Sequence, residues 1–110
     1  MDVYKRLEEL DIKLLDPTPK GGIYSTVQPY GGHLLYVSGT APHNKVDENM
    51  CGKLGSEYTI EEGQEASRRC MLNILSNLHH ELGDLNRIKK FVKILGFVAS
   101  APDFYEHPQV

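Results

Sequence analysis

The sequence has few cysteines, no excess of basic residues and no long apolar run, and each absence excludes a class of protein. Two cysteines in 110 residues, Cys51 and Cys70, cannot form the disulfide framework of a small secreted domain. The formal charge of -3 lacks the basic footprint of a nucleic-acid-binding domain. No segment approaches membrane-spanning length, and the N-terminus lacks the apolar core of a signal peptide. We therefore expect a soluble, cytoplasmic protein that binds neither nucleic acid nor membranes.

Simple catalytic and metal-binding patterns are also missing. His79 and His80 are adjacent on a predicted helix, so their side chains point about 100° apart and cannot share one metal ion. Two residues before Ser38, where a nucleophile elbow carries its first glycine, the sequence has Tyr36, so Ser38 is a poor candidate nucleophile. The basic cluster around Lys89 and Lys90 is typical of a solvated strand edge. The residues alone indicate no metal site.

What is present is the pattern of one small α/β domain over 1–110. Apolar spacing predicts a helix over 2–11, and Gly31-Gly32 predicts a tight turn within a hairpin over 22–38. The clearest element is a central helix over 60–82. Thr59 and Glu62 form its capping box, and Gly83 ends it. A long strand is predicted over 88–99.

The predicted strand over 88–99 is apolar on both faces. Val92, Ile94 and Val98 alternate with Phe91, Leu95 and Phe97. A strand of this kind is normally covered on both sides. The central helix accounts for one face, and we expect another subunit to cover the second. The pattern therefore favours an oligomer without fixing the number of subunits.

A series of short motifs then resembles one family. The motifs are GIYS at 22–25, LYVSG at 35–39, EEGQEA at 61–66, GDL at 83–85 and APDF at 101–104. Each is weak alone, but their order and spacing resemble the reactive intermediate imine deaminases, also called the YjgF or endoribonuclease L-PSP family. The sequence is most similar to a branch with an extra N-terminal helix, in agreement with the helix predicted over 2–11.

The resemblance implies a chorismate-mutase-like α/β (α+β) fold, in which a mixed sheet packs on helices. It also implies a homotrimer with ligand clefts between subunits. Members of the family hydrolyse 2-imino and 2-enamino acids to 2-keto acids and ammonia without metal or cofactor. The family's last helix and strands have no counterpart before Val110, so the fold is expected to be incomplete at the C-terminus and the chain resembles a truncated member of the family.

The resemblance also assigns candidate site residues. Tyr24 matches the tyrosine of the family's cleft, the backbone at Ser38 and Gly39 matches the pocket lining, and Phe104 matches an aromatic that packs against the ligand across the interface. The family's carboxylate-binding arginine and downstream glutamate lie on strands that follow the helix beginning after the Asp-Phe pair, and neither has a counterpart here. Tyr24 as an ordinary strand residue and Phe104 as plain core are the structural alternatives.

Three functions remain open at this stage. The first is an imine or enamine deaminase whose chain continues past Val110. The second is a non-catalytic trimer that binds small 2-imino or 2-keto acids. The third is the ribonuclease or translation-inhibitor role in the family's name, which the acidic composition and the lack of a His/Lys acid-base group make the weakest. Without the arginine, we expect the 110-residue chain to have no imine hydrolase activity.

Overall fold

A computed structural model describes residues 1–20, 22–43 and 51–110. It contains two α-helices, one β-hairpin and two short 3₁₀ turns, in a mixed α+β arrangement. The helices are α1, Val3–Glu9, and α2, Ile60–Leu82; the strands are β1, Val27–Tyr30, and β2, Leu34–Val37; the 3₁₀ turns are Leu85–Arg87 and His107–Gln109. The predicted N-terminal helix and hairpin are present but shorter than their predicted ranges.

Helix α2 begins and ends at the residues that the sequence indicates as its caps. The Thr59 side chain accepts from the backbone N–H of Glu62, and the Glu62 side chain accepts from the backbone N–H of Thr59. At the other end Gly83 has φ 76°, a left-handed conformation that glycine adopts without a Cβ clash. Local signals alone therefore delimit this helix.

The hairpin packs one face on α2. Its strands are antiparallel, with Val27 opposite Val37 and Tyr30 opposite Leu34. Gly31 and Gly32, at φ 61° and 79°, provide the left-handed turn that the glycine pair predicts, and the connection also includes the following histidine. Because side chains alternate across a strand, the pair of Val27 and Val37 faces the core, and the pair of Tyr30 and Leu34 faces away from it.

The main core lies along the C-terminal half of α2. Its most buried members are Val27, Leu78 and Leu85, with 7%, 2% and 1% of their surface exposed. Partly buried apolar residues of α1, the hairpin and α2 pack around them: Val3, Tyr4, Leu7, Leu14, Val37, Ile74, Leu82 and Ile88. The core therefore joins α1 and the hairpin to the same part of α2.

A second packing centre lies near the first turns of α2. The buried Leu54 packs so closely on Gly63 that a Cβ at that glycine would be 2.8 Å from both Leu54 methyl carbons. Phe104 is also buried and lies against Gly55. Leu54 forms isolated parallel bridges to Tyr58 and to Ser100. An alanine at position 63 would therefore have to displace the Leu54 side chain.

The predicted strand over 88–99 is wrong: no strand is assigned there. A strand requires a hydrogen-bonded neighbour. Within the described residues the backbone bonds of this region lie at its two ends. At the start Ile88 N–H donates to the Leu85 carbonyl, and at the other end Leu54 N–H donates to the Ala99 carbonyl and the Leu54 carbonyl accepts from Ala101 N–H. The apolar side chains of the segment are exposed on both predicted faces: Phe91 49%, Val92 75%, Ile94 62%, Leu95 69% and Phe97 89%. Helix α2 therefore leaves these side chains uncovered.

Helix α1 is anchored to the turn that follows α2. The Tyr4 hydroxyl accepts from the backbone N–H of Leu85 at 2.8 Å and lies 2.9 Å from Nδ1 of His79. The Asn86 side chain accepts from Val3 N–H and donates to the Asp2 carboxylate. Bonds from the Asn86 amide and from the backbone of Tyr4 lower the pKa of Asp2. The first residues of the chain thus belong to the folded domain.

Neither helix could cross a bilayer, since no helix among the described residues is both long and apolar enough.

Candidate functional site

The candidate site residues of the hairpin lie at its open end. Beyond the last paired residues of β1 and β2, Ser38 N–H donates to the Thr26 carbonyl at 2.9 Å, and Ser38 Oγ donates to the Ser25 carbonyl at 2.6 Å. These bonds place Ser38 and Gly39 beside the segment that carries Tyr24. The Tyr24 side chain is 40% exposed. The structure therefore brings Tyr24, Ser38 and Gly39 to one end of the hairpin.

The backbone at Gly39 is open to an approaching molecule. Gly39 is exposed, and a Cβ at this position would meet no atom within 4 Å. A small ligand could therefore approach the peptide groups directly. Backbone N–H groups often donate hydrogen bonds to an anion or to a developing oxyanion. The phenol of Tyr24, on the segment that Ser38 contacts, is of a type that both donates and accepts hydrogen bonds.

Helix α2 holds the residues that follow. Thr40 Oγ1 donates to the Cys70 carbonyl at 3.1 Å. The Asn73 amide donates to the carbonyls of Ala41 at 2.8 Å and His43 at 3.2 Å. The position of the open end of the hairpin is therefore set by the middle of α2.

Phe104 lies elsewhere on the same chain. It packs against Gly55, and its ring makes an edge contact with His107 at a centroid distance of 5.1 Å. This packing centre contacts α2 at Gly63, whereas the hairpin end is held at Cys70. Seven residues of helix separate the two positions by about 10 Å. Within one chain the structure thus does not place Phe104 with the hairpin residues.

Three arginines of this chain could in principle replace a carboxylate clamp, and each of them has a local partner. Arg68 and Arg69 lie 3.9 and 3.7 Å from the Glu65 carboxylate. Arg87 donates to the Leu82 carbonyl at 3.0 Å and so caps the end of α2. These contacts give none of the three an evident part in the hairpin site.

Two further groups bear on reactivity. Burial raises the pKa of the Cys70 thiol, so this half-buried cysteine stays protonated at neutral pH and serves as a small packing residue of α2. His107 Nε2 lies 2.9 Å from Ser100 Oγ, a contact that orders the turn after Phe104. Within the ranges that the structure describes, no three His, Cys, Asp or Glu side chains are grouped as metal ligands.

Sequence reasoning missed Asn73. This residue is fully buried, and it lies on the apolar stripe of α2, three residues after Cys70 and one before Ile74. A polar residue on a buried stripe needs a hydrogen-bond partner. The interruption of the stripe could have identified Asn73, but the sequence did not indicate which backbone groups it would bind.

Comparison with known proteins identifies the family. Residues 12–110 match the family described as YjgF/chorismate mutase-like, putative endoribonuclease. The chain therefore belongs to the YjgF family, and its fold is the YjgF-like α+β fold of its solved relatives.

Two solved structures are similar. One is a putative endoribonuclease from Shewanella oneidensis MR-1, with TM-score 0.72 and 30% identity over 82% of this chain and 59% of that chain. The other is Atu1372, a protein of unknown function from Agrobacterium tumefaciens, with TM-score 0.80 and 34% identity over 96% of this chain and 64% of that chain.

A curated relative is Protein TCP17 of Trypanosoma cruzi. It is 46% identical over 79 residues, which are 72% of this chain and 49% of that protein. The chain thus spans about half the length of this relative and about three fifths of each solved structure.

Proposed function

We propose that this chain forms the larger part of an imine or enamine deaminase that hydrolyses small 2-imino acids to 2-keto acids and ammonia. The observation that carries the proposal is the meeting of Tyr24, Ser38 and Gly39 at the open end of the hairpin, held by the short Ser38 hydrogen bond to the Ser25 carbonyl. These are the positions at which the chain is similar to the imine deaminases.

The chemistry divides into two tasks. Water attacks the imine carbon, and the negative charge of the substrate carboxylate has to be held while this happens. The accessible backbone at Gly39 and the phenol of Tyr24 can orient the substrate and the water through hydrogen bonds. The carboxylate suits an arginine, because a guanidinium offers two parallel donors. In this proposal an arginine from a strand beyond Val110 supplies the clamp.

The proposed active form is a homotrimer. Tyr30, Leu34 and Tyr36 are 62%, 47% and 64% exposed on the outer face of the hairpin, in addition to the exposed segment from Phe91 to Phe97. Apolar surface of this kind is typical of interaction sites. The proposal also follows the resemblance in assigning Phe104 of one subunit to the hairpin end of a neighbour, since one chain alone does not bring them together.

The trimer is tested by analytical ultracentrifugation across a range of protein concentrations. We expect a species of three times the chain mass, because covering the exposed apolar side chains stabilises the assembly. A monodisperse monomer at all concentrations would contradict both the trimer and the cleft between subunits.

The activity is tested by ammonia release from a 2-imino acid that a pyridoxal-phosphate-dependent dehydratase generates in situ. We expect no release with the 110-residue chain and turnover with a longer form that carries the arginine strand. In that form, Tyr24→Phe removes one hydrogen bond and should lower kcat/KM roughly tenfold. Tyr105→Phe, at an 80% exposed position, is the matched control. Equal turnover by Tyr24→Phe and wild type would remove Tyr24 from the site.

The 110-residue chain and its longer form also serve to test two other candidate functions. The word endoribonuclease in the description of the family and of the Shewanella relative favours RNA cleavage as the second candidate, and loss of a labelled single-stranded RNA in place of ammonia release would support it. Saturable binding of a 2-keto acid without turnover would instead indicate a non-catalytic binding trimer.

A further inference from the structure

The segment 38–43, here called the pocket loop, follows β2 and includes the exposed backbone of Gly39. Pro42 lies within it and has no N–H to donate. The carbonyls on either side, those of Ala41 and His43, both accept from the side-chain amide of Asn73. One buried amide therefore spans the proline and ties both flanks of it to α2.

Only one of the two polar groups in the Asn73 side chain has hydrogen-bond partners among the described residues. Both recorded bonds use its Nδ2 group as donor, whereas the buried Oδ1 has no hydrogen-bond partner among the described residues. Both bonds of the Asn73 amide therefore go to the pocket loop, and they fix the positions of the two loop carbonyls.

We propose that Asn73 is a positioning residue, which places the pocket loop, and with it the Gly39 backbone, for ligand binding. The part of this inference that concerns ligand binding rests on the proposed function. The part that concerns the order of the loop does not. Asn73 acts through Ala41 and His43 and is not assigned any contact with substrate.

Asn77 provides a matched control on the same helix. It is also buried, with 2% of its surface exposed, and it also holds a loop. Its Oδ1 accepts from the backbone N–H of Thr18 at 3.0 Å, and its Nδ2 donates to the Thr18 hydroxyl at 2.9 Å. Asn77 thus anchors the segment before the hairpin, whereas Asn73 anchors the pocket loop.

The experiment compares Asn73→Leu with Asn77→Leu by amide hydrogen exchange in the purified protein. Leucine is close in size, favours helix more than asparagine and, at position 73, removes the unpartnered Oδ1. We expect Asn73→Leu to keep α2 protected while exchange at Ser38, whose N–H donates to the Thr26 carbonyl, speeds up about tenfold or more. In Asn77→Leu the faster exchange should fall on Thr18 and leave the pocket loop unchanged.

A second variant tests the anchoring of the pocket loop on α2 if Asn73→Leu does not fold. Thr40→Val is nearly isosteric and removes the bond to the Cys70 carbonyl, so exchange within the pocket loop should rise severalfold while α2 stays protected. Unchanged exchange in the pocket loop of Asn73→Leu overturns the inference. A uniform rise through the whole domain also overturns it, because Asn73 would then act on global stability alone.

Titration with 2-ketobutyrate, done in the longer form that carries the arginine strand, separates this inference from the proposed function. If wild type binds it, the affinity of Asn73→Leu should fall at least about fivefold while that of Asn77→Leu stays within twofold. Equal affinities in wild type and Asn73→Leu would overturn the binding part. If wild type does not bind it but the exchange pattern holds, the proposed function fails and the ordering of the loop by Asn73 is supported.

Discussion

Leu54→Ala is expected to lower the free energy of unfolding by about 2–5 kcal/mol, the usual range for truncating a buried leucine. Leu54 is 6% exposed and fills the space between Gly63 and the bridged backbone at Ser100. Truncation leaves a cavity, because two backbone hydrogen bonds hold the residue in place and limit local collapse. Urea unfolding at one fixed protein concentration measures the change, since assembly would couple stability to concentration.

The partner substitution Gly63→Ala makes this prediction specific to the contact. Its methyl group would lie 2.8 Å from the Leu54 methyl carbons, so overpacking of about 1–3 kcal/mol opposes a gain of about 1 kcal/mol in helix propensity. In the double variant the new methyl occupies part of the cavity, and we expect the two losses to be less than additive.

Two controls accompany the pair. Gly96→Ala adds a methyl where no atom lies within 4 Å, and Leu15→Ala truncates a leucine that is 41% exposed. Both should change stability by less than about 1 kcal/mol. Strict additivity of the Leu54 and Gly63 losses would show that the two residues do not share one packing site.

Tyr4→Phe should cost about 1–3 kcal/mol, because it leaves the buried N–H of Leu85 without its acceptor. Since Leu85 N–H donates to the phenol oxygen, the phenol proton is available for Nδ1 of His79, 2.9 Å away. Phenylalanine keeps the ring in its edge contact with His79 and removes only the hydroxyl. The midpoint of urea unfolding should fall accordingly.

Tyr105→Phe removes a hydroxyl from a side chain that is 80% exposed, and its midpoint should stay at the wild-type value. If Tyr4→Phe also leaves the midpoint unchanged, water satisfies Leu85 N–H, and the anchoring of α1 depends on apolar contact and on the Asn86 bonds to Val3 and Asp2.

These two sites differ in how far the sequence predicts them. Gly63 in the first turn of α2 indicates close packing, but the sequence does not identify Leu54 as the neighbour. The caps at Thr59 and Gly83 act within a few residues, and for this reason the bounds of α2 follow from sequence alone. The anchoring of Tyr4 involves Leu85, far along the chain, and no local pattern indicates it.

The prediction of a strand over 88–99 was wrong for a similar reason, because it depended on a partner that local sequence does not identify. Alternating apolar residues indicate a preference for extended chain, but a strand also needs a neighbour that pairs with it, and apolar patterning does not identify one. At the candidate site, the position of Gly39 relative to Tyr24 follows from the hairpin, whose glycine turn is visible in the sequence. Phe104 belongs to another packing centre, so its relation to the hairpin depends on how subunits meet.

The buried amides of α2 have a consequence for the rotational setting of this helix. A helix with a purely apolar stripe could rotate slightly about its own axis and still bury a similar apolar area, since hydrophobic burial is not directional. Hydrogen bonds from Asn73 and Asn77 to separate loops are directional, so turning the helix would leave loop groups unpaired at two places together. The amides therefore select one orientation of α2 among several that apolar packing would tolerate.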